Sequence, residues 1–244
     1  KADSIASYSH FCQWVITVFM LLFGVSFNMY YLLLIKRWRE VLKSNELKCY
    51  LGISLAAMII IALSIMPLCG SIADAVRLSA FQVSSIVTTT GYATADFDAW
   101  PSLAKAVLLI LMFFGGCMGS TAGGLKMSRV TVLAQIARND LRHALRPREV
   151  SSVILNGRRV DAQGERQILS YFALYIAVIG AVFLLISFEP FGIETNFSAT
   201  VSCVNNIGPG FGSIGPSLSY ADYSAFSKLV LSFAMLLGRL EIYP

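Results

Sequence analysis

The sequence predicts an all-α membrane protein built from repeated units, each a span, a polar re-entrant segment ending in a glycine turn, and a second span. Three observations predict it. The 244 residues are 56% hydrophobic and only 14% charged, whereas a soluble domain carries about 25% charged residues. Two uncharged stretches, 78–95 and 195–221, are rich in Ser, Thr, Asn and Gly instead of aliphatic residues. Parts of the chain also repeat at a nearly fixed spacing.

A spanning helix needs about 20 apolar residues. Residues 11–35 and 49–73 carry no charge, and 106–125, 167–188 and a run from about 229 containing Arg239 follow, giving five candidate spans. Irregular backbone at membrane depth persists only where protein or a water-filled cavity satisfies its polar groups. The two Ser/Thr-rich stretches are therefore expected to be re-entrant.

Charge sets the orientation. Lys36, Arg37, Arg39, Lys43 and Lys48 lie between the first two spans. Lys126, Arg129, Arg138, Arg142, Arg146, Arg148, Arg158, Arg159 and Arg166 lie between the third and fourth. The positive-inside rule makes both loops, 36–48 and 126–166, cytoplasmic. The opposite connections carry Asp96, Asp98, Glu189, Glu194 and Asp222, with only Lys105 and Lys228 nearby. An acidic outer mouth concentrates cations, although ordinary solvated loop charges fit equally well. Trp38 and Trp100 fall near opposite interfaces. Basic clusters beside a membrane attract anionic lipid, so the net charge of +5 calls for membrane lipid and no nucleic acid. The five cysteines, Cys12, Cys49, Cys69, Cys117 and Cys203, form no metal-type spacing and read as packing residues. The chain starts at Lys1 and stops at Ile242-Tyr243-Pro244 within a helical pattern. It is expected to be an internal or truncated piece of a longer protein.

The repeat appears when the chain is slid over itself. Lys105-Ala-Val-Leu-Leu-Ile-Leu-Met-Phe-Phe-Gly115 shares Lys, Val, Leu, Met and Gly with Lys228-Leu-Val-Leu-Ser-Phe-Ala-Met-Leu-Leu-Gly238. Placing Gly91 over Gly208 aligns Ser85 with Ser202 and Val87 with Val204. Repeats of this kind place binding sites at their shared axis. Thr89-Thr-Gly-Tyr-Ala93 resembles the T-V-G-Y-G loop whose carbonyls replace the hydration shell of a potassium ion, and Asn206-Ile-Gly-Pro-Gly210 keeps the central and last glycines. Carbonyls aimed at one axis need unusual dihedrals, which glycine adopts most readily. A Ser/Thr-rich helix with a glycine kink is the plainer alternative. It does not explain Asn205-Asn-Ile-Gly-Pro-Gly-Phe-Gly212, which cannot continue a helix.

TTTGYATADF (88–97), NNIGPGFG (205–212) and GGCMGSTAGGLK (115–126) together resemble the TrkH/KtrB family of bacterial potassium uptake transporters, on the TrkH branch, across essentially the whole chain. The resemblance implies a potassium-channel-like fold with four span–pore–span units around one path. Residues 1–38 would then close the second unit and 39–48 form a cytoplasmic loop. Residues 47–138 would be the third unit, with a filter at 89–93 and a glycine-rich intramembrane loop at 115–124. Residues 139–166 would be a basic cytoplasmic loop and 165–244 the fourth unit, with its filter at 206–210. It further implies translocation of potassium across the inner membrane, gated by the intramembrane loop and by a cytoplasmic regulatory subunit. The expected ligands are carbonyls of Thr89, Thr90, Gly91 and Tyr92 and of Asn206, Ile207, Gly208 and Pro209, with potassium held at Thr89, Thr90, Gly91, Asn206, Ile207 and Gly208. Tyr92 is expected to brace its turn. No covalent cofactor is implied. A nucleotide would act only through a TrkA/KtrA-like regulatory ring, and the assembly would be a homodimer. Departures from T-V-G-Y-G leave selectivity between potassium and sodium open.

Gly115, Gly116, Gly119, Gly123 and Gly124 crowd ten residues where a helix is expected to continue. Each glycine in a helix interior costs about 1 kcal/mol, so a broken span is expected. Gly115-xxx-Gly119 and Gly119-xxx-Gly123 also suit close helix packing, and the residues alone leave packing and gating open. The resemblance favours a gate. A phosphate loop is excluded because Gly-Leu-Lys126 lacks the Gly-Lys-Ser/Thr ending. Arg239 aligns with Gly116 in the repeat. An arginine within a span is costly and functional unless it snorkels. It is expected to hold the gate shut by donating to loop carbonyls or by repelling the cation. A membrane enzyme would need carboxylate or histidine clusters at depth, whereas the acids here, apart from Asp74 and Glu241, lie outside the spans. A scaffold or receptor would not need two matched glycine turns. Two copies of this half could complete one pore, but the unpaired segment 1–38 argues for truncation instead.

Overall fold

The computed structural model describes residues 4–146 and 152–240. Lys1, Arg148, Glu241 and Ile242-Tyr243-Pro244 lie outside the described residues. Among the described residues the regular structure is helical, apart from one hairpin of two-residue strands and an isolated bridge between Phe114 and Leu125. It opens with α1 (His10–Phe23) and α2 (Phe27–Leu34), which meet at 91°. The uncharged run 11–35 is therefore not the single straight span expected from its composition. The bend is pinned from a distance: Gly24 O accepts from Cys117 N at 2.8 Å, and Phe27 N donates to Gly119 O at 3.2 Å. Any Cβ on Gly24 would lie 2.2 Å from Tyr50 Oη.

The short α3 (Trp38–Lys43) leads into α4 (Asn45–Ile65), capped by Ser44 Oγ, which accepts from Leu47 N at 3.3 Å. With its 3-10 extension α4 runs to Leu68, and α8 (Ala162–Ile186) is its counterpart. These two are the described helices long and apolar enough to cross a membrane. After α4 comes α5 (Ile72–Val87), then the first glycine turn, then α6 (Ser102–Leu111). The third expected span, 106–125, is helical only to Leu111. Ten residues make about 15 Å of helix, roughly half the hydrocarbon core. Irregular chain follows up to α7 (Met127–Leu145). β1 (Ile154–Leu155) and β2 (Arg158–Arg159) form the hairpin, turned by Asn156 and Gly157 at φ 49° and 80°, as an Asn-Gly turn requires. After α8 come α9 (Ile193–Val204), the second glycine turn and α10 (Ala225–Arg239).

α5 and α9 can be polar because their hydroxyls bond within the protein. Ser84, Ser85, Ser198, Thr200 and Ser202 have no exposed surface. Ser84 Oγ donates to Ala80 O at 2.5 Å and Thr200 Oγ1 to Asn196 O at 3.0 Å. These bonds offset the desolvation that bars polar groups from lipid-facing helices. α5 packs on α1 and α4, and α9 packs on α8 and α10. Phe97 and Phe211 join the two halves edge to face at 5.3 Å.

The two basic connections meet. Asn156 Oδ1 lies 3.1 Å from Ser44 Oγ and accepts from Asn45 N at 3.1 Å, joining the start of α4 to the hairpin. The acidic connections also meet, through Lys105 Nζ, which lies 3.2 Å from Asp98 Oδ1 and 3.3 Å from Glu194 Oε1.

Candidate functional site: two glycine turns and a glycine-rich loop

The two turns are built alike. Each follows a re-entrant helix and opens on a non-glycine residue in left-handed conformation, Thr89 (φ 53°) or Asn206 (φ 58°). Each then places a glycine at positive φ, Gly91 (77°) or Gly208 (113°). Thr90 N donates to Ser85 O at 2.8 Å, and Ile207 N to Ser202 O at 2.9 Å. The same serines close the turns from the other side: Ser85 Oγ donates to Tyr92 O at 2.6 Å and Ser202 Oγ to Pro209 O at 2.9 Å. The spacing of seven residues between clamp and clamped carbonyl is identical in the two.

The turns also touch each other. A Cβ on Gly91 would lie 2.1 Å from Ile207 O and 3.3 Å from Pro209 Cδ. Gly208 meets nothing within 4 Å of its missing Cβ. Only a residue without a side chain satisfies both the left-handed φ and the close approach at Gly91.

Three of the eight carbonyls expected to face an ion are engaged within the protein. Tyr92 O and Pro209 O accept from the serine clamps, and Gly208 O accepts from Tyr220 Oη at 2.7 Å. Among the described residues, the carbonyls of Thr89, Thr90, Gly91, Asn206 and Ile207 accept no hydrogen bond. Tyr92 is exposed, and its recorded tie to the turn is its carbonyl, which accepts from Ser85 Oγ.

The glycine-rich loop is irregular from Met112 to Lys126. It is folded back on itself: Gly115 N donates to Leu125 O at 2.9 Å and Met127 N to Gly116 O at 3.0 Å. Gly115 permits this, since a Cβ there would lie 2.0 Å from Gly123 O. Gly119 and Gly124 take φ of 74° and 69°. Beyond the α1–α2 bend, three further contacts hold the loop. Met118 N donates to Glu46 Oε1, whose side chain is buried at the start of α4. Arg239 Nη1 donates to Thr121 O at 3.1 Å. Gly123 N donates to Thr89 Oγ1 at 2.7 Å. Arg239 aligns with Gly116 in sequence but reaches Thr121.

Glu46 and the Thr89 hydroxyl were not singled out by the sequence. A carboxylate in the first turn of a helix reads as compensation of the helix dipole, which hides a second role. A threonine in a filter-like motif draws attention to its carbonyl, not to its side chain.

Two described helices long and apolar enough to cross a membrane, with short polar helices ending in matched glycine turns packed beside them, mark an integral membrane protein. The family model described as TrkH, cation transport protein, matches residues 1–244, and the chain belongs to that family. It is 31% identical over 252 residues to the Trk system potassium uptake protein TrkG of Escherichia coli K12, covering 100% of this chain and 50% of the relative. It is 30% identical over 249 residues to the Trk system potassium uptake protein TrkI of Halomonas elongata, covering 99% and 50%. The crystal structure of the potassium transporter TrkH from Vibrio parahaemolyticus superposes with a TM-score of 0.90 at 27% identity, over 99% of this chain and 52% of that one. The chain thus spans about half the length of the curated relatives it matches.

Proposed function

We propose that this chain forms half of a potassium path across the bacterial inner membrane, with 89–93 and 206–210 as two of its filter turns. The observation that carries the reading is the pair of turns: the same serine clamp, left-handed residues at matching positions, and direct contact at Gly91 and Ile207. The free carbonyls of Thr89, Thr90, Gly91, Asn206 and Ile207 are the ligands this arrangement favours. A cation exchanging water for backbone oxygens needs carbonyls without other partners. Those of Tyr92, Gly208 and Pro209 are better suited to holding the shape of the turns.

The loop 115–124 acts as the gate in this reading. It is irregular backbone within a membrane protein, held by a few polar contacts that can exchange, and Arg239 and Glu46 hold it in the present position. The basic connections 36–48 and 126–166, which meet at Asn156, face the cytoplasm by the positive-inside rule. They are where a nucleotide-binding regulatory ring would dock. A homodimer and such a ring are part of this reading, and the likeness to Trk system potassium uptake proteins supports an assembly of more than one component.

The test is cation flux into proteoliposomes containing the full-length gene product, comparing potassium, rubidium and sodium, beside Gly91→Ser. Flux that favours potassium and rubidium, with discrimination lost in Gly91→Ser, is expected. A serine at Gly91 meets Ile207 O and resists the positive φ. Flux of equal size for all three ions in the unsubstituted protein would remove the filter reading. No flux under any condition would remove the pore reading.

A further inference from the structure

We infer that the Thr89 side chain couples the first glycine turn to the 115–124 loop, so that the position of the loop sets how well the turn discriminates between ions. The inference rests on reading 89–93 as a filter and 115–124 as a gate.

Three observations carry it. Thr89 stands at φ 53°, a conformation in which a β-branched residue is an outlier. The matching position in the other turn holds Asn206, at φ 58°, and asparagine enters this region far more readily. Thr89 keeps its strain together with a specific contact: its Oγ1 accepts from Gly123 N at 2.7 Å, in a partly buried position.

The second observation is what the matching side chain does. Asn206 Nδ2 donates to Met235 O at 3.0 Å, tying the second turn to α10. Each turn is therefore fastened, through the side chain of its first left-handed residue, to the segment that follows it in its own unit. In the second unit that segment is a helix, which offers a carbonyl. In the first it is an irregular loop, which offers an N–H. Amide donor and hydroxyl acceptor are each matched to their partner.

The third observation is where the loop is grasped. Two residues before Gly123, Thr121 O takes the hydrogen bond from Arg239. Gly123 itself is pressed against the second turn's shoulder, where a Cβ would lie 2.6 Å from Asn205 O. Only Ala122 separates Thr121 from Gly123, so displacement of the loop at Thr121 is expected to reach Gly123, and the Thr89 hydroxyl then follows it or loses its donor. Either event changes the forces on the turn that carries the Thr89, Thr90 and Gly91 carbonyls.

The experiment compares Thr89→Val, Thr89→Gly and Thr89→Ser in the full-length protein, reading ungated potassium flux and the potassium-to-sodium ratio in the same vesicles. Valine removes the acceptor and keeps the strain. Glycine removes both, so it folds without penalty at positive φ. Serine keeps the hydroxyl. Losing this bond is expected to raise ungated flux about tenfold and to lower the ion ratio in both the valine and the glycine variants, with serine restoring both readouts. A glycine variant that behaves as the unsubstituted protein, a change in one readout without the other, or a serine variant that behaves as valine would each overturn the coupling. If the unsubstituted protein carries no flux, the pore reading fails on its own. The contact is then tested by amide hydrogen exchange at Gly123, which is expected to quicken in Thr89→Gly and overturns the link if unchanged.

Discussion

Arg239 Nη1 donates to Thr121 O at 3.1 Å, joining the last turn of α10 to a loop 118 residues earlier in the chain. The side chain is exposed, so the bond is worth about 1 kcal/mol, or about fivefold in an equilibrium. If this bond helps to hold the gate shut, Arg239→Ala raises ungated potassium flux about fivefold, and Arg239→Lys restores part of the closure. The check is flux into proteoliposomes without a regulatory subunit. Equal flux for Arg239→Ala and the unsubstituted protein would show that the contact is structural only.

Glu46 grips the same loop from the start of α4. Its carboxylate is buried at the start of α4 and accepts from Met118 N. Glu46→Ala leaves that part-buried amide without its acceptor, and losing such a bond costs about 1 kcal/mol. The expected result is faster proteolysis or hydrogen exchange across 115–124, together with raised ungated flux. Loop protection identical to that of the unsubstituted protein would mean that the fold-back through Gly115 and Leu125 is sufficient by itself.

The sequence exposed the parts of this fold that depend on local chemistry. Ser/Thr-rich uncharged stretches, clustered glycines and paired registers announced α5, α9, both turns and the break after α6, because each depends on residues near it in the chain. What stayed hidden depends on distant partners. Nothing in the uncharged run 11–35 marks a 91° bend, because the groups that hold it, Cys117 N and Gly119 O, lie about ninety residues further along. Glu46 reads as an ordinary helix-start acid, and its bond to Met118 exists only once α4 and the loop are packed. The engaged carbonyls of Gly208 and Tyr92 depend on Tyr220 and Ser85, and no motif records them. Asn156-Gly157 is a hairpin dipeptide that went unread within the basic loop, because so short a strand pair lies below any periodic signal.

Packing of α10 on the end of α9 depends on Gly238. A Cβ there would lie 1.7 Å from Val204 O, a backbone atom that cannot swing aside. Gly238→Ala is expected to destabilise the protein by about 1–3 kcal/mol, as overpacking does. Gly180, in α8, has nothing within 4 Å of its missing Cβ. Gly180→Ala is expected to be neutral or stabilising by up to about 1 kcal/mol from helix propensity. Thermal unfolding in detergent measures both. Equal melting temperatures for the two variants would show that α10 shifts freely on α9.

The connection between α8 and α9 carries an acid-sensitive tie to α10. Glu189 accepts at 3.1 Å from the backbone N–H of Ser224, the residue that caps α10. Hydrogen bonds from the Ser224 and Ser227 side chains hold its carboxyl below its ordinary value of 4.5. A carboxyl whose folded pKa is depressed binds protons more readily when unfolded, so its contribution is complete above pH 4.5 and is lost as pH falls through the lower, folded value. Stability should therefore be flat in this respect between pH 7 and about 5 and then decline in acid. Glu189→Gln keeps an acceptor for Ser224 N but carries no titrating group. Its melting temperature should be lower than that of the unsubstituted protein at pH 7, and the gap should close as pH falls below about 4. Parallel melting curves for the two proteins from pH 7 to pH 3 would show that Glu189 adds nothing to the anchoring of α10.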